Sequence, residues 1–77
     1  MKILIGNLSK MTTARHLADL FLPFGQVFNA KIIRDSTTGF SRGAGYIEMD
    51  ARSGGIAIKK LNSIQFMNSY MEIIEAR

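Results

Sequence analysis

Arg42-Gly43-Ala44-Gly45-Tyr46-Ile47-Glu48-Met49 alternates small, aromatic and acidic residues on one side with aliphatic residues on the other. With a period of two, Ala44, Tyr46 and Glu48 share one face of a strand over Ala44–Met49, while Ile47 and Met49 turn to the opposite face. The segment before it, Asp35-Ser36-Thr37-Thr38-Gly39, is dense in turn formers and predicts a flexible loop that reverses the chain. Upstream of that loop, Val27 to Arg34 is rich in β-branched and aromatic residues and reads as the antiparallel neighbour.

Working outward towards the N-terminus, Lys2 to Gly6 alternates around Ile3 and Ile5 and reads as a short strand ending where Gly6 and Asn7 permit a turn. Thr12 or Thr13 then caps a helix whose Leu17, Leu20, Phe21 and Phe24 form one apolar stripe. Pro23 and Gly25 stop it, the glycine by accepting the left-handed conformation of a helix end. Towards the C-terminus, Ala57, Ile58 and Leu61 fit a second helix over Ala51–Leu61. Its Gly54 and Gly55 each cost about 1 kcal/mol against alanine. Close approach of the helix to a sheet is one use for them. Asn62-Ser63 ends that helix, Ile64 to Ser69 forms a small hairpin or loop, and Met71 to Ala76 is a last strand with Met71 and Ile73 inward. The order predicts an α+β chain: a ferredoxin-like βαββαβ sandwich, with a four-stranded antiparallel sheet and two helices packed on one of its faces. The opposite face stays open, either solvated or equipped to bind something.

At 77 residues there is room for one domain over residues 1–77 and none for a catalytic lobe. A hydrophobic content of 47% with 21% charged residues and one proline argues for a globular chain. No cysteine is present, so there is no disulfide framework or thiolate metal site, a pattern that fits a reducing compartment. The opening Met1-Lys2-Ile3-Leu4-Ile5 is too short for a secretory signal and no later run approaches spanning length. The expectation is a cytoplasmic protein, or a nuclear one in a eukaryote, with no membrane partner and no cofactor. A net charge of +4 and a pI near 9.9 favour an anionic partner, nucleic acid first, and equally suit ordinary solubility. Lys59-Lys60 reads as a solvated helix face. His16, without a second histidine or a cysteine, reads as neither metal ligand nor catalytic base.

Two segments separate this chain from other proteins of that topology. Arg42 to Met49 follows the RNP1 pattern at positions one, two, four, five and six, and Ile3-Leu4-Ile5-Gly6-Asn7-Leu8 looks like RNP2. The chain thus resembles the RNA recognition motif family over nearly its whole length. The Leu17-x-x-Leu20-Phe21-x-x-Phe24-Gly25 helix, the Asp35-x-x-Thr38-Gly39-x-Ser41-Arg42-Gly43 approach, Ala57-Ile58-x-x-Leu61-Asn62 and the terminal Glu75-Ala76-Arg77 also sit where that family has them. The resemblance implies central first and third strands whose open face stacks bases of single-stranded RNA. Leu4, Gly6, Ala44, Tyr46 and Glu48 then face the ligand, flanked by Lys31 and Ile33 on the second strand and by Glu72 and Ile74 on the last.

Leu4 and Ala44 stand where the family usually has stacking rings, and Tyr46 keeps its own. A stacked base is worth roughly 1–3 kcal/mol, so two missing platforms remove about 2–6 kcal/mol, or about one to four decades of affinity. Leu4 and Ile33 offer apolar contact instead, and Phe40, just before Arg42, is an extra aromatic placed to fold over a ligand. Arg42 suits a phosphate through its guanidinium fork, with Lys2, Lys31 and Arg77 at the rim. Glu48 and Glu72 oppose a phosphate backbone and can accept hydrogen bonds from a base edge.

The competing readings are narrower. The third glycine of a dinucleotide fingerprint is missing, because Glu48 fills that slot. An acyl phosphatase on this topology needs a phosphate-cradling loop with an arginine, and Gly6-Asn7-Leu8-Ser9-Lys10 has neither the length nor the arginine. A protein-binding domain of the same fold is the alternative that the absence of two rings permits, although Gln65-Phe66-Met67-Asn68-Ser69-Tyr70 lacks the Arg-x-Phe loop of peptide-binding relatives. The expected state is a monomer that takes single-stranded RNA, with single-stranded DNA or a protein as the alternative partner; preference for RNA over DNA is implied by the resemblance alone.

Overall fold

The structure, a computed structural model, describes residues 1–62 and 64–76. Its elements are β1 (Lys2–Gly6), α1 (Ala14–Phe21), β2 (Val27–Arg34), β3 (Ser41–Met49), α2 (Ala51–Leu61), β4 (Gln65–Phe66), β5 (Ser69–Tyr70) and β6 (Glu72–Ala76). Four of the strands form one antiparallel sheet in the order β2-β3-β1-β6, and the short β4 and β5 pair apart from it as a hairpin. This is the α+β ferredoxin-like sandwich that the order of elements predicts, with α1 and α2 on one face.

Period-two alternation decides what the sheet buries. Ile3 and Ile5 of β1, Ile47 and Met49 of β3, and Ile73 of β6 point to the helices and are buried with Leu17 and Phe21 of α1 and Ala57 and Leu61 of α2. Each core side chain removed from water contributes on the order of 1.5–3 kcal/mol, which is where a chain this small finds its stability.

Both helices start on side-chain caps. Thr13, not its neighbour Thr12, caps α1: its hydroxyl accepts from His16 N–H at 3.1 Å, while His16 Nδ1 accepts from Thr13 N–H at 3.0 Å. The lone histidine therefore closes a capping box. Thr12 is buried instead, with its hydroxyl on Met67 Sδ at 3.5 Å. On α2, Asp50 accepts from Ser53 N–H at 3.0 Å, which holds its carboxyl below the usual carboxylate range.

Several boundaries differ from the sequence reading. The α-helix stops at Phe21 and tightens into a 3-10 turn over Leu22–Phe24, because Pro23 has no N–H to continue the ladder. Gly25 adopts φ 158° and ψ −177°, a positive-φ conformation essentially confined to glycine, rather than the left-handed helix end expected of it. That backbone requires a glycine, and so does Ser53, whose side chain occupies the space a Cβ would need. Strand β3 begins at Ser41 rather than Ala44, because the pairing with β2 slips between Ile33↔Ala44 and Arg34↔Ser41. That bulge carries Arg42 and Gly43, the latter at φ 75° with its carbonyl accepting from Leu8 N–H at 2.8 Å. The last strand starts at Glu72, one residue later than expected, since Met71 N–H is used by Ile64 O at 3.1 Å. The segment after α2, open between hairpin and loop in the sequence, is a hairpin whose turn residues Met67 and Asn68 both take positive φ, 50° and 65°, as a type I′ turn needs. The loop expected to be flexible is closed by its own hydrogen bonds: Gly39 N–H to Asp35 O at 2.8 Å and Asp35 N–H to Phe40 O at 2.8 Å. The reading of Ser63 as a helix-ending residue lies outside the described residues.

The two helix glycines divide. A Cβ on Gly54 would run into the Met1 side chain and come into ordinary contact with Ile3, so this glycine makes room for Met1 beside α2, whereas a Cβ on Gly55 meets nothing. Gly55→Ala is therefore expected to stabilise the fold by about 0.5–1 kcal/mol through helix propensity and the smaller entropy of the unfolded chain. In a domain of this size that raises the thermal midpoint by roughly 2–8 °C. A melt of the variant that shows no gain would mean α2 is not helical at that position.

Candidate nucleic-acid interface

The open face is organised as rows running across the strands. In the central row Lys31 of β2, Tyr46 of β3, Leu4 of β1 and Ile74 of β6 are adjacent pair by pair. Leu4 is 39% exposed and Ile74 63%, so this is an apolar strip left to solvent while their chain neighbours Ile3, Ile5 and Ile73 are buried. The next row towards the chain ends contains Asn29, Glu48 and Lys2. On the other side, Ile33 pairs with Ala44, and Gly6 with Glu72.

The Tyr46 ring is held from both ends. Lys2 Nζ lies 4.2 Å from its centroid, a cation–π contact worth about 0.5–1 kcal/mol at an exposed site. At the far end Asn29 Nδ2 reaches the Tyr46 hydroxyl at 3.5 Å and Glu48 Oε1 at 3.3 Å. Asn29 thus ties the phenol to the one carboxylate beside it, and Glu48 is engaged by an amide before any ligand arrives. Sequence reasoning passed over Asn29. The signal was available, since it is two residues before Lys31 and period two puts both on one face.

Where the family pattern has a second ring, the surface dips. Ala44, Gly6 and Gly45 floor an apolar notch of about 180 Å³, walled by Leu4, Ile33 and Ile74, with Glu72 also in its lining. The dip follows from side-chain size across the row: Ile33 and Glu72 rise at its ends, while a methyl and a hydrogen lie between them. The Leu4 and Ile74 side chains of the adjoining row close the long side.

Arg42 is exposed on the bulge and lines a separate polar groove with Lys10, Asp35, Thr38, Phe40 and Ser41. The structure thus brings Phe40 to Arg42 and Lys10, and shares none of these residues with the notch. Lys10 is a second cation at this spot that the sequence reading did not single out, because it comes from the loop after β1. Asp35 opposes the two cations. Its carboxylate accepts from Thr38 N–H at 2.9 Å and Thr37 N–H at 2.8 Å, which holds its pKa below the usual range and keeps it ionised. Among the named candidates, Lys2, Leu4, Lys31, Ile33, Ala44, Tyr46, Glu48, Glu72 and Ile74 share the sheet face, Arg42 and Phe40 stand off its edge, and Arg77 lies outside the described residues. Among the described residues, no group of histidines, cysteines and carboxylates is placed to hold a metal ion.

Comparison with known proteins agrees with this architecture. A family profile described as the RNA recognition motif matches residues 3–72. RbpE of Nostoc sp., provisionally described as an RNA-binding protein, is 32% identical over 100% of this chain and 79% of its own length. The crystal structure of RNA binding protein PG1 superposes with a TM-score of 0.96 at 35% identity, covering 99% of this chain and 93% of that one. The Sex-lethal protein–RNA complex superposes with a TM-score of 0.90 at 30% identity, over 99% of this chain and 46% of the other.

Proposed function

Because the chain belongs to the RNA recognition motif family, a family of RNA-binding domains and not of enzymes, we propose that it binds single-stranded RNA on the face formed by β2, β3, β1 and β6. The observation that carries this reading is the Tyr46 ring at the middle of an uncovered sheet face, with Lys2 resting on it. A base that stacks on the ring takes the place of the lysine ammonium. Lys2 is then released beside the ligand, where its charge meets a phosphate, so its interaction with the ring gives way to an ion pair of comparable strength. Lys31 on one flank and Arg42 with Lys10 beyond the bulge continue the positive path for the backbone.

Binding by this face alone is weak in the same reading. Only one ring offers a platform, and the missing pair removes about 2–6 kcal/mol from what a fully aromatic face supplies. Leu4, Ile33 and Ile74 recover part of that by apolar contact. Glu48, already bonded to Asn29, repels phosphate less than a free carboxylate would.

Following backbone amide shifts while short unstructured RNA is added, at low and at moderate salt, tests the proposal. Responses are expected at Leu4, Tyr46, Lys31 and Arg42, shrinking as salt rises because each phosphate contact releases counterions. Silence on β1 and β3 at high RNA concentration would move the open face to a protein partner, for which the exposed Leu4, Ile33 and Ile74 would be the contact strip. Single-stranded DNA of the same sequence is the control, since preference for RNA requires a contact to the 2′-hydroxyl.

A further inference from the structure

We propose that the notch over Ala44 is a pocket for one base, and that Glu72 makes it select guanine. This rests on the sheet face being the RNA-binding surface.

Geometry sets the occupant. Strands β3, β1 and β6 are neighbours, each about 4.8 Å from the next, so the floor at Ala44 and the carboxylate row at Glu72 are about 10 Å apart. A planar base laid over Ala44 and Gly6 covers the floor, meets Leu4 and Ile74 along its side, and brings its far edge to Glu72. A two-ring purine spans that distance better than a single-ring pyrimidine. The notch is small beside the roughly 300–1,000 Å³ pockets of drug-sized ligands, as suits one base with its sugar and phosphate left outside.

The carboxylate chooses among the purines. An ionised glutamate only accepts hydrogen bonds, and its two oxygens take a pair of adjacent donors side by side. The Watson–Crick edge of guanine presents N1–H and N2–H together, which fits. Adenine offers its N6 amino group next to the N1 lone pair, cytosine its N4 amino group next to N3, and uracil its N3–H between two carbonyls, so each sets an acceptor against the second oxygen. The absence of a ring at position 44 is thereby a change of recognition mode, from stacking on a side chain to seating in a gap.

The test uses the full chain and U-rich oligoribonucleotides carrying one central guanine, adenine, cytosine or uracil, with affinity read from amide shifts. The guanine RNA is expected to bind about fivefold or more tighter than the others, the range for one bidentate base contact. Glu72→Gln should collapse that ratio, whatever it does to overall affinity by removing a negative charge. Ala44→Phe fills the notch and should weaken the guanine RNA selectively. If Ala44→Phe instead tightens all four RNAs, position 44 is a platform lacking its ring, and the pocket is overturned while RNA binding stands. A flat base preference in the wild type, or one that survives Glu72→Gln, overturns it in the same way. Failure of every oligonucleotide to perturb β1 and β3 overturns the RNA reading itself.

Discussion

Phe21→Ala should remove about 3–5 kcal/mol of this chain's stability, a quarter or more of it, and lower its urea midpoint accordingly. Phe21 is the largest of the fully buried side chains and is 0% exposed, packed in the cluster that includes Leu17, Ile3 and Ile47. Truncating a buried phenylalanine costs about 3–5 kcal/mol, through forfeited transfer energy and the cavity left behind. A domain of this length has a total stability of only about 4–12 kcal/mol at usual per-residue values. Urea unfolding followed by circular dichroism would measure it, with Phe21→Leu as the milder comparison. A Phe21→Ala stability within about 1 kcal/mol of wild type would mean that α1 does not dock on the sheet through this residue.

The second large effect is on binding. Tyr46→Ala should weaken RNA affinity by about 1–3 kcal/mol, or roughly 5–150-fold, because it removes the one stacking ring in the middle of the face. Tyr46→Phe should keep most of it, since the hydroxyl makes only a long contact to Asn29 at 3.5 Å and the ring face is what meets a base. The residue is half-buried on the open face and lies outside the core beneath the helices, so the alanine variant should remain folded, and its amide dispersion verifies that. Equal affinity for the wild type and both variants would exclude stacking at this position.

Much of this fold was legible from local patterns. The helix stripe of Leu17 and Phe21, the caps offered by threonine near residue 13, and the alternation in β1 and β3 each concern residues a few positions apart, where backbone geometry alone decides which side chains share a face. For the same reason the open-face group Leu4, Ala44, Tyr46 and Glu48 was readable. Less accessible were features made by residues far apart in the chain. The notch needs Gly6 beside Glu72 and Ile33 beside Ala44, a register that neither strand encodes by itself. Gly25 is legible as a glycine freed for positive φ, but not as one crowded by Ser53, which lies on another element.

By itself, the amino-acid sequence determined the order of elements, the buried and exposed sides of each strand, and the single ring available at position 46, because these follow from short-range periodicity and residue chemistry. Only the tertiary structure decided that Lys2 rests on that ring, that Asn29 restrains it together with Glu48, that Lys10 joins Arg42, and that an absent side chain at position 44 opens a walled gap. Those facts are distances between strands and loops, and they come into being when the core beneath them locks one pairing register in place.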